Sequence, residues 1–349
     1  MLLNENTVAD LILLLIFNLG LIFALRFVAP HINLIDHRGE RKLHSHPTPL
    51  VGGLAIYLTL LTAVAINNDW DTNVGMITCW AGAIVFIGCI DDIKNINWPI
   101  RLCVQVIAAL GVILTTGIKV TYLGTYPIIG QVELDHLTVA FTVFAVVSLT
   151  NAFNLIDGID GLCGSLLFLP ALALMGLIYW LSGKIDFYFF IILASLAIFL
   201  SFNLSQNPKH KIFLGDAGST GLGFILGFLV ISLIKNNHTE FYPPLALWLF
   251  LVPIFDTVFV IISRLLERKS IFEPSSKHIH HIFALFFNSK TKALIILVVL
   301  ALVFIVIGIA FNQLNDFTSL IVLIFVSFAM KFALNVFKMK FDKNKELTK

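Results

Sequence analysis

Eleven apolar runs divide this chain of 349 residues. They lie roughly at 8–29, 50–67, 74–90, 100–116, 138–153, 162–181, 187–203, 217–234, 245–265, 292–311 and 318–337. Each approaches the ~20 residues that a helix needs to cross the hydrocarbon core of a bilayer. Only 13% of residues are charged and 58% are hydrophobic, whereas a soluble domain carries about 25% charged residues. The runs are of helix length, and no succession of short alternating strands is present, which argues against an outer-membrane barrel. The expected fold is therefore all-α: an integral membrane protein built as a polytopic bundle of about eleven transmembrane helices. Residues 1–349 are expected to form a single membrane-embedded domain, with no sequence repeat and no soluble module. The first run follows Glu5 and Asp10 rather than basic residues, so it reads as the first membrane helix and not as a cleaved signal. Cys79, Cys89, Cys103 and Cys163 lie in or beside apolar stretches at no metal-binding spacing, and read as small core hydrophobes. Several runs are slightly short, which suggests helices that end in a crevice.

The basic residues set the expected orientation. If the loops after spans 1, 3, 5, 7 and 9 share one side with the C-terminus, that side holds all but Lys119, Lys184 and Lys235 of the 23 Lys and Arg residues. By the positive-inside rule the C-terminus faces the cytoplasm and the N-terminus faces out. That arrangement needs an odd number of spans. The segment 119–134 then falls outside, where its alternation and its Gly and Pro residues suggest a small β-hairpin.

The same arrangement places the polar motifs on the cytoplasmic side. They are DHRGERKLHSHPTP (36–49), DDIKN (91–95), NLIDGIDG (154–161), GDAGST (215–220) and SSKHIHH (275–281). Adjacent carboxylates such as Asp91 and Asp92 repel unless a cation or a shared proton relieves them; alone, the pair also reads as a solvated helix end. Asp157 and Asp160 are three apart, which on a helix puts them on neighbouring turns of one face, with Asn154 one turn earlier. Their plainer reading is a capped helix start. Asp216 precedes a span that opens with small residues, a pattern that leaves helix N–H groups for an anion or serves close helix packing. His278, His280 and His281 lack the partners of a zinc motif. With Lys277, Arg264 and Lys42 on the same side, they read as a phosphate cradle. Asp256 sits mid-span, about 12 Å along the helix from Arg264 at the ~1.5 Å rise, and reads as structural, facing a polar pocket or a partner helix. Oxygen-rich sites that handle phosphates usually hold magnesium, and no P-loop pattern is present. A phosphate site among membrane helices points to one lipid substrate and one soluble nucleotide substrate.

In this order, the segments RKLHSHPTPLVGG (41–53), GCIDDIKNI (88–96), NAFNLIDGIDGL (151–162), FLGDAGST (213–220), PIFDT (253–257) and HIHH (278–281) resemble the polyprenyl-phosphate N-acetylhexosamine-1-phosphate transferase family. HIHH and NLIDGIDG are most similar to its bacterial branch acting on N-acetylglucosamine. The resemblance implies that undecaprenyl phosphate attacks UDP-N-acetylglucosamine, releasing UMP and forming undecaprenyl-diphosphate N-acetylglucosamine. That lipid starts O-antigen or enterobacterial common antigen synthesis. It also implies Mg2+, with Mn2+ as a substitute, held by Asp216 and Asn154. Asp91, Asp92, Asp157 and Asp160 are then catalytic, and Lys42, His44, Arg264, Lys277, His278, His280 and His281 bind substrate. The setting implied is the bacterial inner membrane, with the site on the cytoplasmic face, no nucleic-acid partner, and a homodimer. Relatives commonly carry an acidic then a basic residue where this chain has Ser275 and Ser276; Lys277 stands one place on. Two alternatives stay open at this point: the same chemistry on another UDP-N-acetylhexosamine, and a transporter that uses its carboxylates as an ion relay.

Overall fold

A computed structural model describes residues 5–36, 47–235, 241–270, 277–312 and 314–347. Lys42, His44, Ser275 and Ser276 lie outside the described residues. The described residues form thirteen α-helices, two short 3-10 helices and two antiparallel strand pairs. The helices are α1 (Glu5–Val28), α2 (Gly52–Asn67), α3 (Asn73–Lys94), α4 (Trp98–Thr116), α5 (Thr138–Ile156), α6 (Leu162–Ser182), α7 (Phe187–Asn203), α8 (Gly215–Lys235), α9 (Pro244–Leu249), α10 (Leu251–Leu266), α11 (Ile279–Phe286), α12 (Lys290–Asn312) and α13 (Asp316–Leu347). Eight helical stretches are long and apolar enough to cross a membrane, and α2 and α7 are shorter apolar helices. The chain is an all-α multi-pass membrane protein.

Strands β1 (Ile35–Asp36) and β2 (Thr48–Pro49) pair antiparallel, as do β3 (Tyr122–Tyr126) and β4 (Gly130–Glu133). The second hairpin lies within the segment where the sequence predicts one. It is docked on the last span: the Thr125 amide donates to Asp316 Oδ2 at 2.7 Å.

The ninth predicted span departs from a continuous helix. It breaks at Phe250 (φ −115°, ψ 22°), between α9 and α10. Pro253 follows in the first turn of α10, where its missing N–H costs nothing because the first turn has no carbonyl to donate to.

Helix α8 is the centre of the bundle. In its most apolar 18-residue window 83% of residues are buried, against 50% or less in the other spans. Helices α2, α3, α5 and α6 pack around it. Small residues make this possible: a Cβ built on Gly53 of α2 would lie 1.9 Å from Gly218 Cα, and one on Gly88 of α3 would lie 2.6 Å from Ala217 Cα. The small residues at the start of α8 thus serve close backbone approach, as membrane helix interfaces often do. One continuous apolar core runs from Leu11 to Leu334.

Candidate active site

The site is assembled at one end of the bundle, where α3, α5 and α10 finish and α4, α8 and α11 begin. Helix α3 closes at Asn95, whose left-handed conformation (φ 50°) turns the chain toward α4. Asp91 and Asp92 are therefore the last acidic residues of a helix, one turn from its end. Asp91 is buried, accepts the Ile96 amide at 2.5 Å, and forms an ion pair with Arg101 of α4. The same Arg101 Nη1 lies 3.1 Å from Asp216 Oδ2. Asp92 turns the other way. Its Oδ1 accepts the Asp216 amide at 2.9 Å and its Oδ2 accepts the Ala217 amide at 3.4 Å.

The expected relief of repulsion between the paired carboxylates thus comes from two sources, a guanidinium for Asp91 and the positive end of α8 for Asp92. This also corrects one expectation. The free N–H groups at the start of α8 are not open to an incoming anion, because Asp92 caps them. The segment before α8 is held as well: Gly52 and Gly53 donate to Phe213 O and Leu214 O at 2.9 and 3.0 Å, and Phe213 donates to Pro49 O at 2.8 Å. These bonds satisfy the orphan amides of α2 and fix where α8 begins.

Asp216 is partly open, with its side chain 34% exposed. Its Oδ1 accepts from Asn154 Nδ2 at 2.9 Å, and Asn154 Nδ2 also lies 3.3 Å from Ser219 Oγ. One turn back on α5, Asn151 donates to Gln105 of α4 at 2.7 Å. That amide pair ties the helix bearing Asn154 to the helix bearing Arg101.

Asp157 and Asp160 do not share a helix face. Helix α5 ends at Ile156, and residues 157–161 form a turn into α6 that Gly161 closes at φ +80°. The Gly161 amide donates to Asn203 Oδ1 at 2.6 Å, and Asn203 Nδ2 donates to Ile212 O at 2.8 Å. Asp160 is held by Lys211 at 2.5 Å. Asp157 opens to the crevice but is crowded by protein on its other sides. That desolvation, with repulsion from Asp216 and Asp160, pushes its carboxyl up to about 7.

The histidines gather against this turn. A Cβ built on Gly158 would lie 2.0 Å from His280 Nε2, so only glycine leaves room for that ring. The rings of His278 and His280 are stacked at 5.7 Å, and His280 and His281 are 4.1 Å apart. His280 is 1% exposed, and neither ring nitrogen has a hydrogen-bond partner among the described residues. Burial, then the neighbouring His281 and His278, lowers its imidazole to about 2, so it is neutral. His281 is also lowered, mainly by burial. Lys277 pairs with Glu267, and the buried Arg264 donates to Ser270 O at 2.9 Å.

The structure therefore brings Asp91, Asp92, Asp216 and Asn154 together, and sets Asp157 and the histidines beside the same turn. Asp160 is drawn to Lys211. Three polar residues at this end were not singled out by the motifs: Arg101, Lys211 and Asn203. Arg101 follows Trp98-Pro99 at a helix start, so its signal was a lone cation one turn into an otherwise apolar span.

A family model for glycosyl transferase family 4 matches residues 74–234. These contain the Asp pair, the NLIDGIDG turn and Asp216. An undecaprenyl-phosphate alpha-N-acetylglucosaminyl 1-phosphate transferase of Yersinia pestis is 30% identical over 309 residues, covering 88% of this chain and 84% of the relative. The protein of the same name from Escherichia coli K12 is 33% identical, over 78% of this chain and 75% of the relative. A probable undecaprenyl-phosphate N-acetylglucosaminyl 1-phosphate transferase of Bacillus subtilis is 29% identical over 92% of this chain and 89% of the relative.

The chain belongs to glycosyl transferase family 4.

It is thus a glycosyl-1-phosphate transferase. Among the described residues, no group of three or more His, Cys, Asp or Glu side chains converges on one metal position. The donor set nonetheless suits magnesium. Mg2+ is usually bound through one or two carboxylates plus substrate phosphates, with water completing its octahedron. Asp216 and Asn154 supply hard oxygens at the open side, and Arg101 already stands as a cation between Asp91 and Asp216.

Proposed function

We propose that this family 4 transferase moves N-acetylglucosamine 1-phosphate from UDP-N-acetylglucosamine to undecaprenyl phosphate, at the cytoplasmic face of a bacterial inner membrane. The observation that carries this reading is the convergence of Asp91, Asp92, Asn154 and Asp216 with Arg101 where four helices end or begin. The names of the relatives support the choice of donor and lipid.

In the reaction, an oxygen of the lipid phosphate forms a bond to the β-phosphorus. The bond from that phosphorus to the bridging oxygen breaks, and the bridging oxygen leaves on UMP. Phosphoryl transfer of this kind asks mainly for positioning and charge stabilisation. Arg101, held by Asp91, offers a fixed guanidinium to the diphosphate. Asp92 acts through α8, whose start it caps, and so fixes Asp216. Asp157, at the turn, lies where the nucleotide sugar is held, and the histidine cluster, with His281 its half-buried member, meets it there. Asp216 and Asn154 would hold Mg2+, which when bound would supply charge neutralisation of the diphosphate. Lys42 and His44 complete the substrate-binding set by resemblance.

The test is an assay of the purified protein in detergent with radiolabelled UDP-N-acetylglucosamine, undecaprenyl phosphate and Mg2+. UMP release with label moving into the lipid fraction is expected, and EDTA abolishes it. No UMP release overturns the reading; release that EDTA leaves untouched overturns the metal. Asp216→Asn is expected to raise the Mg2+ concentration for half-maximal rate at least tenfold, a size typical of altered metal sites.

A further inference from the structure

Asp256 is an ionisable side chain with no accessible surface, set in the apolar run LVPIFDTVFVII of α10. Burying a carboxylate costs several kcal/mol unless its oxygens are satisfied. Both are satisfied here, and from the same place. Oδ1 accepts the Ile279 amide at 2.6 Å, and Oδ2 meets His278 Nδ1 at 2.7 Å. Ile279 is the first residue of α11, and His278 is its N-cap, whose own side chain makes no capping bond. A carboxylate from α10 therefore caps α11 in place of a local residue. With the same group it commits Nδ1 of His278, which leaves Nε2 as the nitrogen free to act elsewhere. The ring so fixed is stacked on His280 at 5.7 Å, and His280 lies against Gly158, next to Asp157.

We propose that Asp256 is a positioning residue for the transferase: it sets the tautomer and tilt of His278 and thereby seats the histidine cluster against the Asp157–Gly158 turn. This rests on the reading above, in which that cluster meets the nucleotide sugar. Asp256 itself touches no substrate. Its place in mid-span follows from this job, because the first residues of α11 lie at that depth. The arrangement repeats what Asp92 does for α8: a carboxylate on one helix caps the start of another, and the capped segment carries a site residue. Carboxylates that orient metal-ligating imidazoles matter by about 10- to 100-fold, and an effect of the lower order is expected of Asp256.

Asp256→Asn tests it. The amide keeps an acceptor for one donor and turns an NH2 toward the other. If the oxygen stays on Ile279, His278 Nδ1 must become an acceptor, and the ring proton moves to Nε2. In protein labelled with 15N-histidine, the resonances that His278→Gln removes are expected to shift to the other tautomer in Asp256→Asn. The same variant is expected to raise KM for UDP-N-acetylglucosamine at least tenfold, with a smaller change in kcat and no change in Mg2+ requirement. In the double variant Asp256→Asn/His278→Gln, KM rises no further than in the more affected single variant. Unchanged His278 resonances, or KM effects that simply multiply, overturn the proposal. Should Asp256→Asn fail to fold, folded His278→Gln decides: a raised KM supports the proposal, and a wild-type KM sinks it. The 15N signature needs no substrate. A wild-type protein that releases no UMP therefore defeats the proposed function while the His278 tautomer is still read.

Discussion

A carboxylate that caps a helix and a carboxylate that meets a phosphate are the same letter in a sequence; their partners separate them. Asp92 and Asp256 cap helices other than their own, whereas Asp157 and Asp216 keep open faces. Histidine shows the same point with a titration attached. His280 is buried with no hydrogen-bond partner among the described residues, and its imidazole is lowered from 6.5 to about 2. A lowered histidine favours the fold fully above its unfolded value of 6.5, and that stability is lost as pH falls below it toward the folded value. Between pH 7.5 and 5 the unfolded chain binds a proton at this position that the folded chain refuses, which costs about 2 kcal/mol. We therefore expect the thermal midpoint of the wild-type protein to fall more steeply over that window than that of His280→Gln, which takes up no proton. Parallel midpoint curves for the two proteins, measured in detergent with EDTA, would show that His280 is charged or solvated in the fold.

At the scale of elements, helix positions and the polar motifs were legible, because apolar runs of about 20 residues have few other uses. The hairpin was legible from its Gly and Pro residues and its alternation. Three features were not, each for a stated reason. The break at Phe250 lies in an apolar run whose Pro253 is equally at home in a first turn. The turn at 157–161 keeps the three-residue spacing of a helix, and only the left-handed Gly161 reveals the reversal. Arg101 and Asp256 find partners 10 and 22 residues away or farther, which a local pattern does not encode. The packing of α8 on α2 was legible only as a choice between two uses of small residues, and the approach of Gly53 to Gly218 settles it. A Cβ on Gly53 would meet Gly218 Cα at 1.9 Å, its N at 2.4 Å and Leu214 O at 2.8 Å. All three are backbone atoms, so no side chain can rotate away. Gly53→Ala is expected to cost about 3 kcal/mol or more, and to lower activity with it because α8 carries Asp216. Gly176→Ala in α6 is the control: nothing lies within 4 Å of the added carbon, and helix propensity alone favours it by about 1 kcal/mol. Equal thermal midpoints for the two variants would mean that α2 and α8 are not in contact as described.

For the whole molecule the deciding question is which end faces the cytoplasm, since a soluble nucleotide sugar reaches one side only. The fold sets the two ends apart. Helix α4 starts beside Asp91, with Arg101 in its first turn, and finishes at Thr116, from where the chain enters the β3–β4 hairpin. The hairpin and the carboxylates thus sit at opposite ends of one 19-residue helix, nearly 30 Å apart at the ~1.5 Å rise. In the topology expected from the sequence, the basic residues fall overwhelmingly on the carboxylate side, with only Lys119, Lys184 and Lys235 assigned to the other. By the positive-inside rule this bias predicts the carboxylates inside and the hairpin outside. Ile128 at the hairpin tip is 93% exposed, and Lys209 is exposed in the segment before α8. In a background with Cys79, Cys89, Cys103 and Cys163 replaced, Ile128→Cys is expected to react in intact cells with a maleimide that does not cross membranes. Lys209→Cys is expected to react only after the cells are opened. The reverse pattern would put the carboxylate site outside, away from any cytoplasmic nucleotide sugar, and would remove the proposed donor even if the lipid were right. Labelling of both positions in intact cells would instead mean that the two ends are not separated by a membrane, against the eight helical stretches long and apolar enough to span one.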